Sequence, residues 1–300
     1  MAGTEELVTD RDGVDVFIRH WPVDDPRAAV VIAHGASEHS GRYARLAGVL
    51  NDHGYEAWAI DHRGHGRTAA SSGMGRFGPR GFDGLLDDLA DLIDRAASSG
   101  RPVVLFGHSM GSVITQAFVE RRDQPLAGYV LCGSLGVSED SAAMVEGLQG
   151  AVDAGMGDEP MDVLGPFNEA FEPARTPFDW LSRDEAEVDA YIADPMCGGD
   201  NPLTYGYILE VVRAAADAVT PEGIGRVPDG LVVLIIAGER DPAGGMGENV
   251  RVLEGRLRDR GLPVTSHYYP DARHEILNET NRDEVHADIV AWLDDITAPA

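Results

Sequence analysis

The chain has 300 residues, of which 43% are hydrophobic and 25% are charged, a profile typical of a folded globular protein and not of a disordered one. Its 51 acidic residues outnumber its 24 basic residues, all of them arginine, and give a formal net charge of -27. A field of that sign repels nucleic acid phosphates and anionic bilayers, which disfavours both as partners.

Strands and helices alternate along the chain, which predicts an α/β protein with a sheet covered on both faces by helices. Short apolar runs predict strands at 5–9, 15–21, 29–34, 56–61, 102–107, 127–133, 230–238 and 265–270. Apolar residues at three- and four-residue spacing predict helices at 41–53, 81–99, 109–122, 247–261 and 280–296. An Asp-Gly turn makes the first two strands an antiparallel hairpin, and helices between the others make them parallel. We therefore expect an eight-stranded, mostly parallel sheet flanked by helices.

The segment between the strands that end near Gly133 and begin near Gly230 is about a hundred residues long, too long for a plain connection. We expect an inserted helical cap at 136–227 on a core formed by 1–135 and 228–300. No strand is predicted within it. Ser182 and Glu185 have the spacing of a capping box before one cap helix. One face of a later helix either packs on the core or contacts substrate, and its apolar residues are Leu203, Tyr207, Ile208, Val211, Val212 and Ala215.

The first residues, MAGTEELVTDRDG, lack the basic and apolar regions of a secretory signal. The longest apolar run, LVVLIIA at 231–237, is too short to cross a membrane. Cys132 and Cys197 do not form the pattern of a disulfide framework or a zinc knuckle. We therefore expect a cytoplasmic protein without a transmembrane segment.

Gly107-His108-Ser109-Met110-Gly111 matches the pattern G-x-S-x-G between a predicted buried strand and a predicted helix. The pattern alone is frequent by chance, but this setting is that of a nucleophile elbow, in which small residues permit a strained turn that presents the serine. A phosphate-binding loop would need further glycines and a Lys. Ser109 is therefore the candidate nucleophile.

A serine hydroxyl becomes a good nucleophile only when a base held by a carboxylate takes its proton. Asp241 follows a strongly apolar strand and His274 lies in the loop after the last strand, so both are placed to serve. Glu139 and Asp140 follow the preceding strand and are alternative acids. Structural roles are assigned to four further titratable residues near these motifs: His62, His65, His108 and Asp271.

An acyl-transfer reaction also needs two backbone donors for the negatively charged oxygen of its intermediate. The N–H of Met110 follows the nucleophile and is the first candidate. The second is the N–H of Ala36, in the turn AHGASEHSGRY at 33–43, where Gly35 permits a close backbone approach.

Taken together, these stretches resemble the α/β-hydrolase fold, and within it the monoacylglycerol lipase and lysophospholipase-like serine hydrolases. The resemblance rests on HGASEHSGRY, DHRGHGRT, GHSMGS, GERDPAGG and RHEILNE, which lie between residues 33 and 279 and leave out the cap. It implies hydrolysis of a small carboxylic ester, often a glycerol ester of one fatty acid, without cofactor or metal. The residues that it assigns are the triad Ser109, Asp241 and His274 and the oxyanion donors Ala36 and Met110.

Two rival functions stay open on the sequence. The same triad in the same fold also cleaves amides, which allows a peptidase or amidase. A binding protein that keeps the scaffold without turnover is the alternative of another class, although the complete set of site residues argues against it. A metallohydrolase is disfavoured because RHEILNE is not H-E-x-x-H.

Two residues depart from the pattern of the family that the sequence resembles. Ser37 stands where that family often has Gly, and Thr68 stands where it often has Ser.

Overall fold

The computed structural model describes residues 3–298, and its central feature is an eight-stranded sheet. In chain order the strands are β1 (Thr4–Thr9), β2 (Asp15–Trp21), β3 (Ala28–Ala33), β4 (Tyr55–Ile60), β5 (Val103–His108), β6 (Gly128–Cys132), β7 (Val232–Gly238) and β8 (Val264–Tyr269). Their spatial order is β1-β2-β4-β3-β5-β6-β7-β8. β1 and β2 form the expected hairpin, β2 is antiparallel to β4, and all other neighbours are parallel. The predicted α/β fold with a mostly parallel sheet is confirmed.

Helices cover both faces of this sheet. The α-helices are α1 (Ala44–Asp52), α2 (Ala69–Ser72), α3 (Gly81–Ala97), α4 (Met110–Arg121), α5 (Ser141–Ala151), α6 (Glu185–Ala193), α7 (Tyr205–Ala218), α8 (Pro221–Gly225), α9 (Glu248–Asp259) and α10 (Arg282–Ile296). The first predicted helix is α1 preceded by a 3-10 turn at Ser40–Tyr43, and the other four are α3, α4, α9 and α10. In the part of the chain that the structure describes, no helix has the length and apolar composition that a membrane span requires.

The sheet separates two apolar layers, because successive side chains of a strand point to opposite faces. On one face, Leu105 of β5 and Ile235 of β7 pack with α3, α4, α7 and α9. On the other face, Phe106 of β5 and Ile236 of β7 pack with α1 and α10. The central strands are therefore buried on both sides, which accounts for their continuous apolar runs.

The loops that carry the candidate site residues all begin at the same edge of the sheet. Parallel pairing places Ala33, the last residue of β3, opposite Gly107 of β5. It also places Gly238, the last residue of β7, opposite Tyr269, the last residue of β8. The turns after β3, β5, β7 and β8 therefore meet at the carboxyl edge, where ligands bind in open α/β sheets.

The segment between β6 and β7 is mostly helical and contains α5 to α8. It also holds a short antiparallel pair, Pro160–Met161 with Leu203–Thr204, where the sequence predicts no strand. The pair was missed because each strand is only two residues long. Tyr207 and Val211 of α7 pack into the layer of α3 and α4, so this face of α7 packs on the core. The predicted boundaries between core and cap stay a prediction.

The predicted capping box of Ser182 and Glu185 is wrong. α6 begins at Glu185 itself, and its N-cap is Asp184, whose carboxylate accepts from the N–H of Ala186 at 3.1 Å. The hydroxyl of Ser182 is used elsewhere, because it donates to the carbonyl oxygen of Asn278 at 3.0 Å. Ser182 therefore makes a long-range contact, and the local cap of α6 comes from Asp184.

One buried arginine joins the β1–β2 turn to α3. Arg63 has a fully buried side chain and donates to Asp88 of α3 through Nε at 2.7 Å and Nη2 at 3.0 Å. Nη2 also lies 2.5 Å from Asp10 and 3.0 Å from Asp12 in the turn. One guanidinium therefore offsets part of the repulsion among these three carboxylates.

Arg63→Ala is expected to lower the free energy of unfolding by about 3–5 kcal/mol, because buried carboxylates lose their counter-charge. Urea unfolding followed by circular dichroism measures the change. Arg101→Ala is the matched control, since Arg101 pairs with Asp25 at an exposed position, where a pair contributes at most about 1 kcal/mol. Equal losses in the two variants would contradict this role for Arg63.

Candidate active site

Ser109 lies in a strained turn between β5 and α4. Its backbone angles are φ 53° and ψ -120°, a conformation that residues other than glycine rarely adopt. Its N–H donates to the carbonyl oxygen of Cys132 at 2.9 Å, and its carbonyl oxygen accepts from the N–H of Ser112 at 2.8 Å. These bonds hold the turn and leave the serine side chain half-buried at the carboxyl edge of the sheet. The geometry is that of a nucleophile elbow.

The two glycines of the elbow are required by close backbone contacts. A Cβ on Gly107 would lie 2.2 Å from the carbonyl oxygen of Gly111. A Cβ on Gly111 would lie 2.0 Å from the carbonyl oxygen of Ala33 in β3. Both distances are far below van der Waals contact, so neither position accepts a side chain without moving the backbone that carries Ser109.

His274 and Asp241 are hydrogen bonded to each other. Nδ1 of His274 lies 2.9 Å from Oδ2 of Asp241, and the side chains are only 2% and 1% exposed. The other carboxylate oxygen accepts from the N–H of Ala243 at 2.9 Å. A carboxylate held in this way fixes the orientation of the ring and leaves Nε2 to exchange a proton.

The other titratable candidates lie apart from this pair. Glu139 and Asp140 are exposed before α5, and neither is hydrogen bonded to His274 within residues 3–298. Asp271 is an exposed turn residue with φ 62°. Burial lowers the pKa of His62 and of His65, the latter to about 3, so both rings stay neutral inside the protein.

Two backbone N–H groups flank Ser109. Neither the N–H of Ala36 nor that of Met110 has an acceptor in the described part of the chain. The turn that carries Ala36 lies against the elbow, because a Cβ on Gly35 would lie 3.2 Å from the Cβ of Ser109. Unpaired N–H groups at such a place are available to an oxygen that gains negative charge.

Glu38, which no motif assigned to the site, fastens this turn. Its Oε1 accepts from the N–H of Gly35 at 2.6 Å and from the hydroxyl of Tyr43 at 2.7 Å. Nδ1 of His108 lies 3.3 Å from the same oxygen, and Arg42 donates to the other oxygen at 3.0 Å. Burial works to raise the pKa of Glu38, but the His108 hydrogen bond and the Arg42 charge outweigh it and hold that pKa well below its usual range. The anchor of the turn is therefore a permanently charged carboxylate.

Ser109, His274 and Ala36 line one cavity of about 20 Å³. Its outer wall comes from the segment between β6 and β7 and includes Leu164 and Trp180. Among the described residues, the hydroxyl of Ser109 makes no hydrogen bond to His274. Contacts of this kind are often long in an unliganded site and tighten when substrate binds. The three groups thus face one space that is too small to hold an acyl chain.

A larger groove of about 340 Å³ opens nearby. Its lining is mostly apolar and includes Met161, Val163 and Phe178. Leu164 lies on the wall of this groove and also on the wall of the cavity. A ligand with an apolar chain could lie in the groove and reach Ser109 past Leu164.

One group of side chains has the residue types of a metal site. Ligand atoms of His39, Asp194 and Cys197 all lie within 4.8 Å of one another. Nε2 of His39 lies 3.0 Å from Asp194, and its Nδ1 accepts from the N–H of Gly41, so the ring proton is directed at the carboxylate. Burial raises the pKa of the Cys197 thiol. These protonation states fit a hydrogen-bonded contact better than a metal centre.

Known proteins are similar to this chain over nearly its whole length. A family model described as serine aminopeptidase, S33, matches residues 24–281. The monoacylglycerol lipase of Mycolicibacterium smegmatis is 30% identical over 94% of this chain and 93% of that protein. The monoglyceride lipase of Homo sapiens is 28% identical over 98% of this chain and 91% of that protein. The crystal structure of a thermostable carboxyl esterase from Bacillus coagulans with glycerol has a TM-score of 0.91 and 31% identity, and covers 99% of this chain and 100% of that one.

Gly111→Ala is expected to destabilise the fold by about 3 kcal/mol or more, because its Cβ overlaps the backbone of β3. Gly147→Ala is the control. Gly147 lies in α5, where an added Cβ would have no other atom within 4 Å, and the change should stabilise by about 0.5–1 kcal/mol. Urea unfolding of both variants measures the difference. A Gly111→Ala protein as stable as the unchanged chain would contradict the contacts described for the elbow.

Proposed function

The chain belongs to the serine aminopeptidase S33 family, and on that premise we propose that it is a monoacylglycerol lipase with Ser109, His274 and Asp241 as its triad. It is a carboxylic ester hydrolase, the activity for which its lipase and esterase relatives are named. One observation carries the proposal. The imidazole of His274, held by Asp241 at 2.9 Å, lines the same small cavity as Ser109.

In the proposed acylation step, the hydroxyl oxygen of Ser109 attacks the ester carbonyl while Nε2 of His274 takes its proton. Asp241 keeps Nδ1 protonated and stabilises the imidazolium. The carbonyl oxygen becomes negatively charged and accepts from the N–H groups of Ala36 and Met110, which act as the oxyanion hole. His274 then protonates the departing alcohol, and an acyl group remains on Ser109.

Deacylation repeats these steps with water. Nε2 of His274 takes a proton from the water molecule, which attacks the acyl carbonyl, and the same two N–H groups hold the oxygen. The proton then returns to Ser109 and a carboxylic acid leaves. Side chains and backbone supply every group, so the proposed reaction uses no cofactor or metal.

The proposed substrate is a small ester with an apolar acyl chain. The groove of about 340 Å³ next to the cavity supports this, since its Met161, Val163 and Phe178 offer the chain an apolar surface. We propose that residues 136–227 form a cap, whose Leu164 and Trp180 close the outer side of the cavity. The net charge of -27 supports a small neutral substrate over nucleic acid. The buried, unbridged Cys132 and Cys197 support a cytoplasmic location.

Amide hydrolysis is the second candidate, favoured by the name of the family and by two carboxylates at the cavity. Glu38 and Glu275 both line it, and a free carboxylate there could bind the amine of an aminoacyl substrate. Both are occupied, however, because Arg42 pairs with each of them. An incoming amine would have to displace a guanidinium, which favours the neutral ester.

Ser109→Ala is expected to lower kcat by several orders of magnitude, because the nucleophile is lost. Asp241→Asn should lower kcat by about 10⁴, because the amide no longer holds His274 in the required tautomer. Hydrolysis of p-nitrophenyl esters and of aminoacyl anilides measures both rates and separates the two candidates. Undiminished ester turnover by pure Ser109→Ala protein would falsify the triad, and anilide turnover that exceeds ester turnover would favour the amidase.

Leu164→Ala should shift preference toward long acyl chains, because it widens the passage from groove to cavity. We expect the ratio of kcat/KM for p-nitrophenyl decanoate over p-nitrophenyl acetate to rise about fivefold, equivalent to about 1 kcal/mol of differential binding. Val163→Ala is the comparison variant, because Val163 lines the groove but not the cavity. It removes an apolar contact without widening the passage, so the ratio should fall or stay the same. An unchanged ratio in Leu164→Ala would show that the acyl chain does not pass this residue.

A further inference from the structure

Residues 179–183, in the segment between β6 and β7, run alongside the loop that carries His274. The N–H of His274 donates to the carbonyl oxygen of Trp180 at 3.4 Å. The N–H of Glu275 donates to the carbonyl oxygen of Leu181 at 2.7 Å. Two adjacent backbone bonds therefore attach residues 179–183 to the loop.

Charged side chains strengthen this attachment. Glu279 is fully buried and accepts from Arg183 through its N–H at 3.1 Å and its Nε at 2.9 Å. The N–H of Arg273 donates to the same carboxylate at 2.9 Å. The guanidinium of Arg273 donates to the carbonyl oxygens of Asp179 and Ser182. Residues 179–183 and the His274 loop therefore form one unit, since separating them would leave buried charges unpaired.

This unit places an aromatic ring against the imidazole. The ring centroids of Trp180 and His274 are 4.7 Å apart, with 36° between the planes. Trp180 is 2% exposed, and Phe167 packs on it at a centroid distance of 4.9 Å. The face of an indole attracts a cation within about 6 Å of its centroid, most strongly where water is excluded.

We propose that Trp180 is a positioning residue for His274, which holds the imidazole in place and stabilises the imidazolium formed each time Nε2 takes a proton. The inference rests on the proposed triad. In acylation, one proton moves from the hydroxyl of Ser109 to Nε2 and then leaves with the alcohol. In deacylation, one proton moves from water to Nε2 and then returns to Ser109. Trp180 forms and breaks no covalent bond; its indole acts by contact with the imidazole ring and by its attraction for the positive charge. In this way the segment between β6 and β7 contributes to proton transfer at His274.

Other groups also act on the charge of His274. Asp241 faces it from the loop after β7, and the ring of His108 faces it from the end of β5 at a centroid distance of 5.0 Å. Glu275 is its neighbour in the loop. Glu38 and Arg42 act through His108 and Glu275. All of these groups are present in every Trp180 variant, so a comparison of the variants with one another isolates the effect of the indole.

Trp180→Leu removes the aromatic face but keeps an apolar side chain over the ring. We expect kcat to fall about tenfold, with KM nearly unchanged, because the imidazolium is less stable in the transition state. The acid limb of the pH profile of kcat/KM should move to lower pH, because a less stable imidazolium loses its proton earlier as pH rises. Trp180→Phe keeps an aromatic face and should restore most of the rate and the position of the limb.

Phe167→Leu is the matched control, because it loosens the packing of the indole without touching His274, and its acid limb should stay in place. An unmoved limb in Trp180→Leu, or equal losses in Trp180→Leu and Trp180→Phe, would overturn the proposal and leave the indole a packing role. If Trp180→Leu does not fold, a tetrafluorotryptophan at position 180 keeps the shape and weakens the attraction for a cation. It should move the limb in the same direction, and an unmoved limb would again overturn the proposal.

The unchanged protein and Ser109→Ala distinguish this inference from the proposed function. Ester turnover that depends on Ser109 together with an unmoved limb in the Trp180 variants would reject the role of Trp180 alone. Ester turnover that persists in Ser109→Ala would reject the triad, and the role of Trp180 with it.

Discussion

Close backbone contact around Ser109 is the constraint on which the rest of the site depends. The end of β3, the end of β5 and the start of α4 approach so closely that no side chain fits at Gly107 or Gly111. This contact forces Ser109 into a positive φ and brings the turn after β3 beside it. The parallel sheet then delivers Asp241 and His274 to the same edge, because β7 and β8 end there. The packing of the main chain therefore positions the proposed nucleophile, the proposed base and the two proposed backbone donors before any substrate binds.

Buried charged side chains hold these turns in position. Glu38 holds the turn after β3 through the N–H of Gly35, and Arg42 joins Glu38 to Glu275, the residue after His274. A buried ion network therefore connects the proposed oxyanion turn with the loop of His274, the proposed base. Ser37 adds a link outward, since its carbonyl oxygen accepts from the N–H of Gly198 at 2.9 Å. Hydrogen bonds and ion pairs therefore hold both the turn after β3 and the His274 loop, which lie on either side of Ser109.

The sequence predicts the features that depend on residues close together in the chain. The eight strands lie within two residues of their predicted bounds because their apolar runs are continuous, and Ser109 is recognisable because its glycines are neighbours in the chain. Asp241 and His274 were identified because each follows an apolar strand, whereas contacts between distant residues that no motif marks were not predicted. Glu38 has only one visible signal, a carboxylate inside a turn of small residues, and its partner His108 lies 70 positions away. Trp180 has none, because only the folded chain brings it to His274.

Ser37 departs from the pattern of the family that the sequence resembles. Its φ of 52° lies in the left-handed region that favours glycine. Its hydroxyl donates to the carbonyl oxygen of Asn201 at 3.1 Å, which offsets part of the backbone strain.

We propose that the turn held by Glu38 and the elbow after β5 form one oxyanion site around Ser109. A crystal structure of the protein inhibited by an alkyl phosphonate ester would show this arrangement. We expect phosphorus bound to the hydroxyl oxygen of Ser109, with the phosphoryl oxygen about 2.7–3.1 Å from the N–H groups of both Ala36 and Met110. A phosphoryl oxygen directed away from these two groups, or phosphorus bound to another residue, would contradict it.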